Sequence, residues 1–307
     1  MIRSLTITNY LGDSIKLELR RPELSGFLIQ SISGLGPAQA NINTTEVITN
    51  DGSLFNSARL NQRNIVLQMT FIPSNSGETI EDIRQKSYKY FPVKKSLSIY
   101  IETENRHVKT TGYVESNEPD IFSSQEGTQI SIICPDPYFY SAGANGNHVT
   151  DFYGVSPTFE FPFSNESLTT PLIVFGNINA RADGVVTYLG DAEIGMLIKI
   201  HAVGTASNLT IYNASTRETM KINTAKLETL TGKGLSAGDD IVISTYKGSK
   251  SITLIRNGVF YNILNCLDKN AVWFTLAKGD NIFTFSAETG ITNLQFSIEN
   301  KIVYEGI

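Results

Sequence analysis

Short runs in which apolar and polar residues alternate recur from one end of this chain to the other, and they constrain its fold more than any other feature. Clear examples are residues 4–8 (SLTIT), 15–20 (IKLELR) and 293–298 (NLQFSI). Alternation at period two places one row of side chains on a core and the other in solvent, as in a β-strand. Turn signals such as Asn257-Gly258 separate the runs, which is typical of sandwiches and jelly rolls. The sequence therefore predicts a mainly β fold.

One segment has the three-to-four-residue spacing of a helix instead. Ile80 and Ile83 fall on the same helical face. Thr79 is the expected N-cap, and Asp82 three residues later gives a variant of the capping box. We predict a helix over residues 79–91 and no amphipathic helix in the second half of the chain.

The length of 307 residues suggests two domains. Pro135 and Pro137 stiffen the chain near its middle, and the small and turn-forming residues 141–147 then loosen it. We predict a β-rich domain with one helix at residues 1–137, a linker at 138–157 and a β-sandwich of jelly-roll type at 158–307.

Composition and charge exclude several kinds of partner. The net charge is −5, and no run of cations extends beyond Lys94-Lys95, so sequence-specific binding of nucleic acid is not expected. The chain has no apolar run of about 18 residues and no apolar signal segment, so we expect neither membrane insertion nor export. Cys134 and Cys266 lie far apart in sequence and are expected to be buried free thiols, with a disulfide as the alternative.

The sequence contains no arrangement that predicts catalysis. A nucleophile needs a histidine beside it, but His107 and His201 fall in alternating strands and His148 in the linker. Zinc and calcium sites need paired ligands at short spacing, and these are missing. We therefore expect no enzyme activity, no metal and no cofactor. Trp273 has two interpretations: a platform that stacks on a sugar or partner, or a residue of the core or an interface.

The order of these features resembles a known family, the distal tail proteins of long-tailed, non-contractile bacteriophages. The resemblance rests on strand-and-turn phrases spread along nearly the whole chain. In the first half these are residues 54–61, 63–71 and 134–140, and in the second half 185–191, 209–213, 235–245 and 273–281.

The resemblance implies a β-rich, ring-forming first domain and a galectin-like β-sandwich as the second. It implies a hexameric ring hub that joins the tail tube protein to a tail-associated lysin or fibre protein, and to which receptor-binding proteins can attach. It also implies a place at the virion tail tip, after assembly in the cytoplasm of the bacterial host.

The polar segment Ala38–Leu60 has few core residues of its own, and its turn signal at 50–52 predicts two short strands. In a ring, a neighbouring subunit could bury this arm; the alternative is a disordered surface loop. The expected interface residues are Leu35, Ile42, Val47, Leu54 and Phe55. Other functions remain open: a carbohydrate-binding module that uses Trp273, a hydrolase, or the equivalent hub of a phage-derived bacteriocin.

Overall fold

The structure of the chain is a computed structural model, which describes most of its residues. The described residues are 1–46, 51–73, 77–143, 146–157, 176–180 and 183–307. The chain divides into two compact units. Unit 1 consists of Met1–Gly146 together with Val303–Ile307, and unit 2 of Asn147–Ile302.

Unit 1 is built from strands with one helix between the sixth and the seventh. Its elements are β1 (Ile2–Asn9), β2 (Ser14–Glu18), β3 (Phe27–Ser33), β4 (Ala40–Glu46), β5 (Ser53–Leu60), β6 (Arg63–Phe71), α1 (Ile80–Tyr90), β7 (Ser96–Thr103), β8 (His107–Asp120), β9 (Gly127–Cys134) and β10 (Phe139–Ser141).

Unit 2 follows with strands and one further helix. Its elements are β11 (Asn147–Asp151), β12 (Tyr153–Pro157), β13 (Gly176–Ala180), β14 (Asp183–Tyr188), β15 (Leu197–Ala202), β16 (Ser207–Asn213), β17 (Glu218–Ile222), α2 (Thr224–Thr231), β18 (Asp240–Ser244), β19 (Ser251–Arg256), β20 (Val259–Asn262), β21 (Gly279–Thr289) and β22 (Leu294–Lys301). A last strand, β23 (Val303–Tyr304), belongs to unit 1.

The core of unit 1 lies against a nine-stranded antiparallel sheet. Seven strands follow the order β2-β1-β7-β8-β9-β6-β3, and β10 joins β8 and β23. Alternate residues of each strand are buried, as the period-two pattern predicts; in β7, for example, Leu97, Ile99 and Ile101 are buried. The helix α1 adds Ile83 to this core.

The predicted helix is confirmed, and so is the reason for its start. Thr79 accepts a hydrogen bond from the Asp82 backbone, and the Asp82 carboxylate accepts one from the Thr79 backbone, so the capping box is complete. The Asp82 carboxylate also accepts a hydrogen bond from the Thr79 hydroxyl (2.7 Å), and this bond, more than the one from the Thr79 backbone, lowers the pKa of the Asp82 carboxyl below its usual value.

Unit 2 is a β-sandwich. One sheet has the order β11-β22-β15-β18-β19-β20 and the other the order β14-β21-β16-β17. Their inner faces meet where Phe285 of β21 stacks on Phe296 of β22, with ring centroids 4.1 Å apart. The strands β12 and β13 pair with each other as a separate two-stranded sheet. The expected mainly β fold, with a sandwich in the second half, is confirmed.

The structure differs from the sequence expectations at three places. Residues 224–231 form the short helix α2, which the sequence analysis did not predict. Parts of the predicted linker are strands, because β10, β11 and β12 lie within 138–157. The end of the chain returns to unit 1 as β23, so unit 2 stops at Ile302 and not at Ile307. The sequence also predicts strands at 159–163 and 172–176; the first lies outside the described residues, and so does the second except for Gly176, which begins β13.

Candidate functional site

The arm expected between residues 38 and 60 is a β-hairpin without a core of its own. Its strands β4 and β5 pair only with each other, as a two-stranded sheet. Every residue of β4 is exposed, and so is every residue of β5 except Leu60, which is half-buried. An isolated two-stranded hairpin is marginally stable in water at best. A hairpin of this kind is expected to gain stability from a surface that covers it.

The register of the hairpin separates an apolar face from a mostly polar one. Because cross-strand partners share a face, Ile42 lies beside Ala58, and Thr44 beside Phe55. Asn56 has no partner in this register, which marks a β-bulge. We call the side that carries Ala40, Ile42, Phe55, Ala58 and Leu60 the apolar face; the polar residues Thr44, Glu46 and Ser53 lie on the same side toward the tip of the hairpin. The other side, the polar face, carries Asn41, Asn43, Leu54, Ser57 and Arg59.

The base of the hairpin is fixed by one buried cation. The Arg63 guanidinium donates hydrogen bonds to the carbonyls of Gly34 (2.6 Å), Pro137 (2.8 Å) and Glu305 (2.6 Å), and to that of Gly36. Gly34 and Gly36 precede β4, and Arg63 follows β5, so this side chain ties together the two ends of the hairpin. The hairpin therefore leaves unit 1 from a defined base.

The sequence analysis did not predict that Arg63 is buried, although the sequence contains a signal for this burial. Arg63 stands two residues before Ile65 and four before Leu67, so alternation places it on the core side of β6. Its guanidinium also stacks on the Phe139 ring, 4.2 Å from the centroid. Burial lowers the pKa of this guanidinium, and the nearby Cys134 side chain acts in the opposite direction.

The five expected interface residues do not share one environment. Ile42, Leu54 and Phe55 are 61%, 61% and 66% exposed, respectively, so their side chains are available to a partner. Leu35 instead packs against the core of unit 1, and its carbonyl accepts a hydrogen bond from the Ile307 backbone. Val47 lies outside the described residues.

Trp273 lies in unit 2 outside any regular strand and is half-buried. The Lys250 ammonium lies 5.6 Å from the centroid of its ring, within the range of a cation–π contact. Its neighbours Phe274 and Leu276 are buried. The Lys250 contact occupies one face of the ring, and a contact of Trp273 with a glycan or a partner stays a prediction.

The histidines and cysteines take ordinary structural positions. His201 of β15 faces Asp240 of the neighbouring strand β18, with 2.7 Å between Nδ1 and Oδ1. His107 is exposed at the start of β8, and His148 lies in β11 and not in a linker. The prediction for Cys134 and Cys266 is confirmed, because both are buried free thiols, and burial raises the pKa of each.

The described residues include no group of three or more His, Cys, Asp or Glu side chains close enough to hold a metal ion. Neither α1 nor α2 has the length and apolar character that a membrane-spanning helix needs, and the rest of the described chain adds no other candidate.

Part of the second unit is similar to a known protein family. Residues 189–299 match the sequence model of one family, the siphovirus-type tail component, C-terminal domain. This match bears out the resemblance to distal tail proteins that the sequence predicted. No curated protein has a sequence that matches the chain.

Solved structures extend the structural likeness to unit 1. The Dit protein of phage SPP1, described as a paradigm of hub adsorption apparatus in phages that infect Gram-positive bacteria, matches with a TM-score of 0.64. The match covers 97% of this chain and 99% of the SPP1 protein, at 14% identity, so it shows a shared fold. A protein of the phage P2 baseplate in its activated conformation also matches, with a TM-score of 0.46, 12% identity and 98% coverage of both chains.

Proposed function

We propose that this chain is a distal tail protein of a long-tailed phage or prophage, a structural subunit without enzyme activity that assembles with copies of itself into a ring hub. The observation that carries this proposal is the apolar face of the β4–β5 hairpin. Ile42 and Phe55 stand in solvent on a hairpin that has no core, while its base is held by Arg63. A neighbouring copy that covers the apolar face would stabilise both the hairpin and the assembly.

A ring requires two unlike surfaces that meet, because a heterologous contact closes into a ring when its rotation allows. Unit 1 offers a second exposed surface of a different kind. Tyr10 and Tyr113 are each 50% exposed, and they flank the segment 94–96: the Lys95 ammonium lies 5.2 Å from the Tyr10 ring, and Tyr113 pairs with Ser96. Aromatic residues of this kind are enriched at interfaces, so this surface is a candidate to receive the hairpin of the next copy.

The number of copies and the other partners follow from the likeness to distal tail proteins. We propose a hexamer that joins the tail tube protein on one side to a tail-associated lysin or fibre protein on the other. Receptor-binding proteins would attach to the same hub. Such a subunit would be assembled in the cytoplasm of the bacterial host and would end at the virion tail tip.

The first experiment is the mass of the purified chain in solution, measured by light scattering behind a sizing column over a range of concentrations. We expect a species near six times the chain mass of 33.8 kDa, or a mass that rises toward it with concentration. Electron microscopy of that species should show rings. A strict monomer at every concentration would contradict self-assembly through the hairpin, and a dimer that does not grow would contradict a ring.

A further inference from the structure

Unit 2 contains a groove on the solvent side of the four-stranded sheet, far in sequence from the hairpin. Its volume is about 650 Å³, and it is lined by residues of β16, β17 and β21, by the start of α2 and by Asp268 and Lys269. Thr210 of β16 pairs with Lys221 of β17 on one side and with Ser286 of β21 on the other. The flanking residues Leu209 and Ile211 are buried, so alternation turns Thr210 and its partners toward the groove.

The floor of the groove is polar and locally ordered. Asn208 has a positive φ of 48°, in the left-handed region that asparagine tolerates better than most residues. Its side-chain oxygen accepts a hydrogen bond from the Thr224 backbone, and its amide donates one to the Glu288 carboxylate. Asn208, Thr210 and Ser286 thus place a side-chain amide and two hydroxyls along one surface. Such groups can both donate and accept hydrogen bonds.

Three lysines surround this floor. Lys221, Lys226 and Lys269 are exposed, and within the described part of the chain none of them forms an ion pair with a carboxylate. Two acids also line the groove: Glu288 is engaged by Asn208, and Asp268 accepts a hydrogen bond from the Asn270 backbone at 3.3 Å. Three ammonium groups against two carboxylates leave the groove with a surplus of positive charge, which favours an anionic ligand.

The edge of β17 beside the groove is closed to a peptide strand. The carbonyls of Thr219 and Lys221 accept hydrogen bonds from the backbone of Val272 (3.2 Å) and Asp268 (2.9 Å). The Asn223 backbone donates to the carbonyl of Cys266. An acidic peptide that added a strand to this sheet would need these groups free. A ligand recognised through side chains, and not through backbone pairing, fits the groove better.

We propose that this groove binds an anionic carbohydrate chain, that is, a chain rich in hydroxyls that carries carboxylate or phosphate groups. Lys221, Lys226 and Lys269 would pair with the anionic groups, while Thr210 and Ser286 would exchange hydrogen bonds with the hydroxyls. This binding site goes beyond the structural role of the hub and does not depend on it.

The test is calorimetric titration of the full chain with four probes of similar length. These are a galacturonate hexamer, a glycerol phosphate hexamer, an uncharged galactose hexamer and a glutamate decapeptide. We expect one or both of the anionic, hydroxyl-rich probes to bind, and the two together distinguish a carboxylate from a phosphate source. The galactose hexamer is expected to bind at least about tenfold more weakly, because it cannot pair with the lysines. Added salt should weaken the binding.

Two variants locate the site. K221Q/K269Q removes two charges from the groove, and K247Q/K301Q removes two exposed charges from elsewhere in unit 2 as the matched control. The first is expected to bind the anionic probe at least about tenfold more weakly and the control to bind it like the unmodified chain. Thr210→Val removes one hydroxyl of the floor without changing the charge. It should weaken binding about threefold, a loss that simple attraction between charges would not show.

Several results would overturn the proposal. One is no binding of either anionic hexamer at millimolar concentration; another is equal loss in both lysine variants. Tighter binding of the glutamate decapeptide than of both hexamers would assign the groove to an acidic protein segment instead. Because all four lysines are exposed, the thermal unfolding of each variant should match the unmodified chain, so that loss of binding cannot be attributed to loss of folding.

Discussion

The strands β5 and β6 are separated by two residues, yet they have opposite environments. Almost all of β5 is exposed, whereas β6 has six buried residues among nine, including Ile65, Leu67 and Met69. Both strands contain apolar side chains, but only β6 has neighbours in the unit 1 sheet, where β9 and β3 flank it. Alternation along a strand therefore predicts an apolar face that must be buried, but it does not predict which segment or subunit buries that face.

The same comparison separates two kinds of effect for mutations. A change in a region held by its own chain should lower the free energy of unfolding. A change on the apolar face of the hairpin should leave unfolding unchanged and weaken self-association. Trp273, the only tryptophan, lies in unit 2, so tryptophan emission follows the unfolding of unit 2 and circular dichroism follows that of both units.

The largest effect on the free energy of unfolding is expected for Arg63→Met, at the position where the exposed β5 gives way to the buried β6. Methionine fills part of the space but leaves the carbonyls of Gly34, Pro137 and Glu305 without their buried donor. We expect the free energy of unfolding of unit 1 to fall by about 4 kcal/mol. Urea unfolding followed by circular dichroism should show the loss, with the tryptophan transition unchanged as the internal control. A loss below about 1 kcal/mol would mean that Arg63 does not fix the base of the hairpin.

A slightly smaller effect is expected for Asp239→Asn in unit 2. The buried Asp239 carboxylate accepts hydrogen bonds from Arg256 at 2.6 and 2.8 Å and from the Ser236 backbone at 2.9 Å. We expect the variant to lose about 3 kcal/mol at neutral pH, because the Arg256 charge stays partly buried without its partner. Urea unfolding followed by tryptophan emission measures this loss.

The dependence on pH gives this prediction a second readout. Burial alone would raise the pKa of Asp239, but the hydrogen bonds from Arg256 and Ser236 outweigh it, so the pKa lies below the ordinary value of about 3.8. The stabilisation is therefore complete above about pH 3.8 and is lost as the pH falls through the lowered pKa. The difference between the unmodified chain and the variant should narrow in that acid range. A difference that stays constant there would contradict the assignment.

The sequence allowed most of the local structure to be predicted, because those signals are short-range. Thr79 and Asp82 mark the start of α1 within three residues of each other. The start of α2 carries similar signals that were missed: the Asn223 side chain accepts hydrogen bonds from two backbone groups, and Gly232 ends the helix with a φ of 75°. Its eight residues are too short for a helical stripe to stand out among the strand patterns around it.

What the sequence did not predict are contacts between distant residues. The side chain of Arg63 reaches Glu305, 242 positions away, and Leu35 packs against its own core because the chain end returns beside it. The spacing of apolar residues along the chain carries no information on which distant segments come together. The groove of unit 2 was missed for the same reason, since Asn208, Lys221, Lys269 and Ser286 belong to four segments that only the fold brings together.

The smallest change in free energy is expected for Phe55→Asp, which tests most directly whether the hairpin is the contact between copies. Phe55 lies on the apolar face and Leu54 on the polar face, and their exposures are similar, so Leu54→Asp is a matched control for Phe55→Asp. We expect Phe55→Asp to weaken self-association by about 2 kcal/mol, or about thirtyfold, because a charge would replace the aromatic side chain of the apolar face. Neither variant should change the free energy of unfolding by more than about 0.5 kcal/mol, since both side chains are exposed.

Light scattering as a function of concentration measures self-association, and urea unfolding measures the free energy of unfolding. If Leu54→Asp weakens association as much as Phe55→Asp, both faces of the hairpin are covered by a neighbour; if neither does, the hairpin is not the contact between copies.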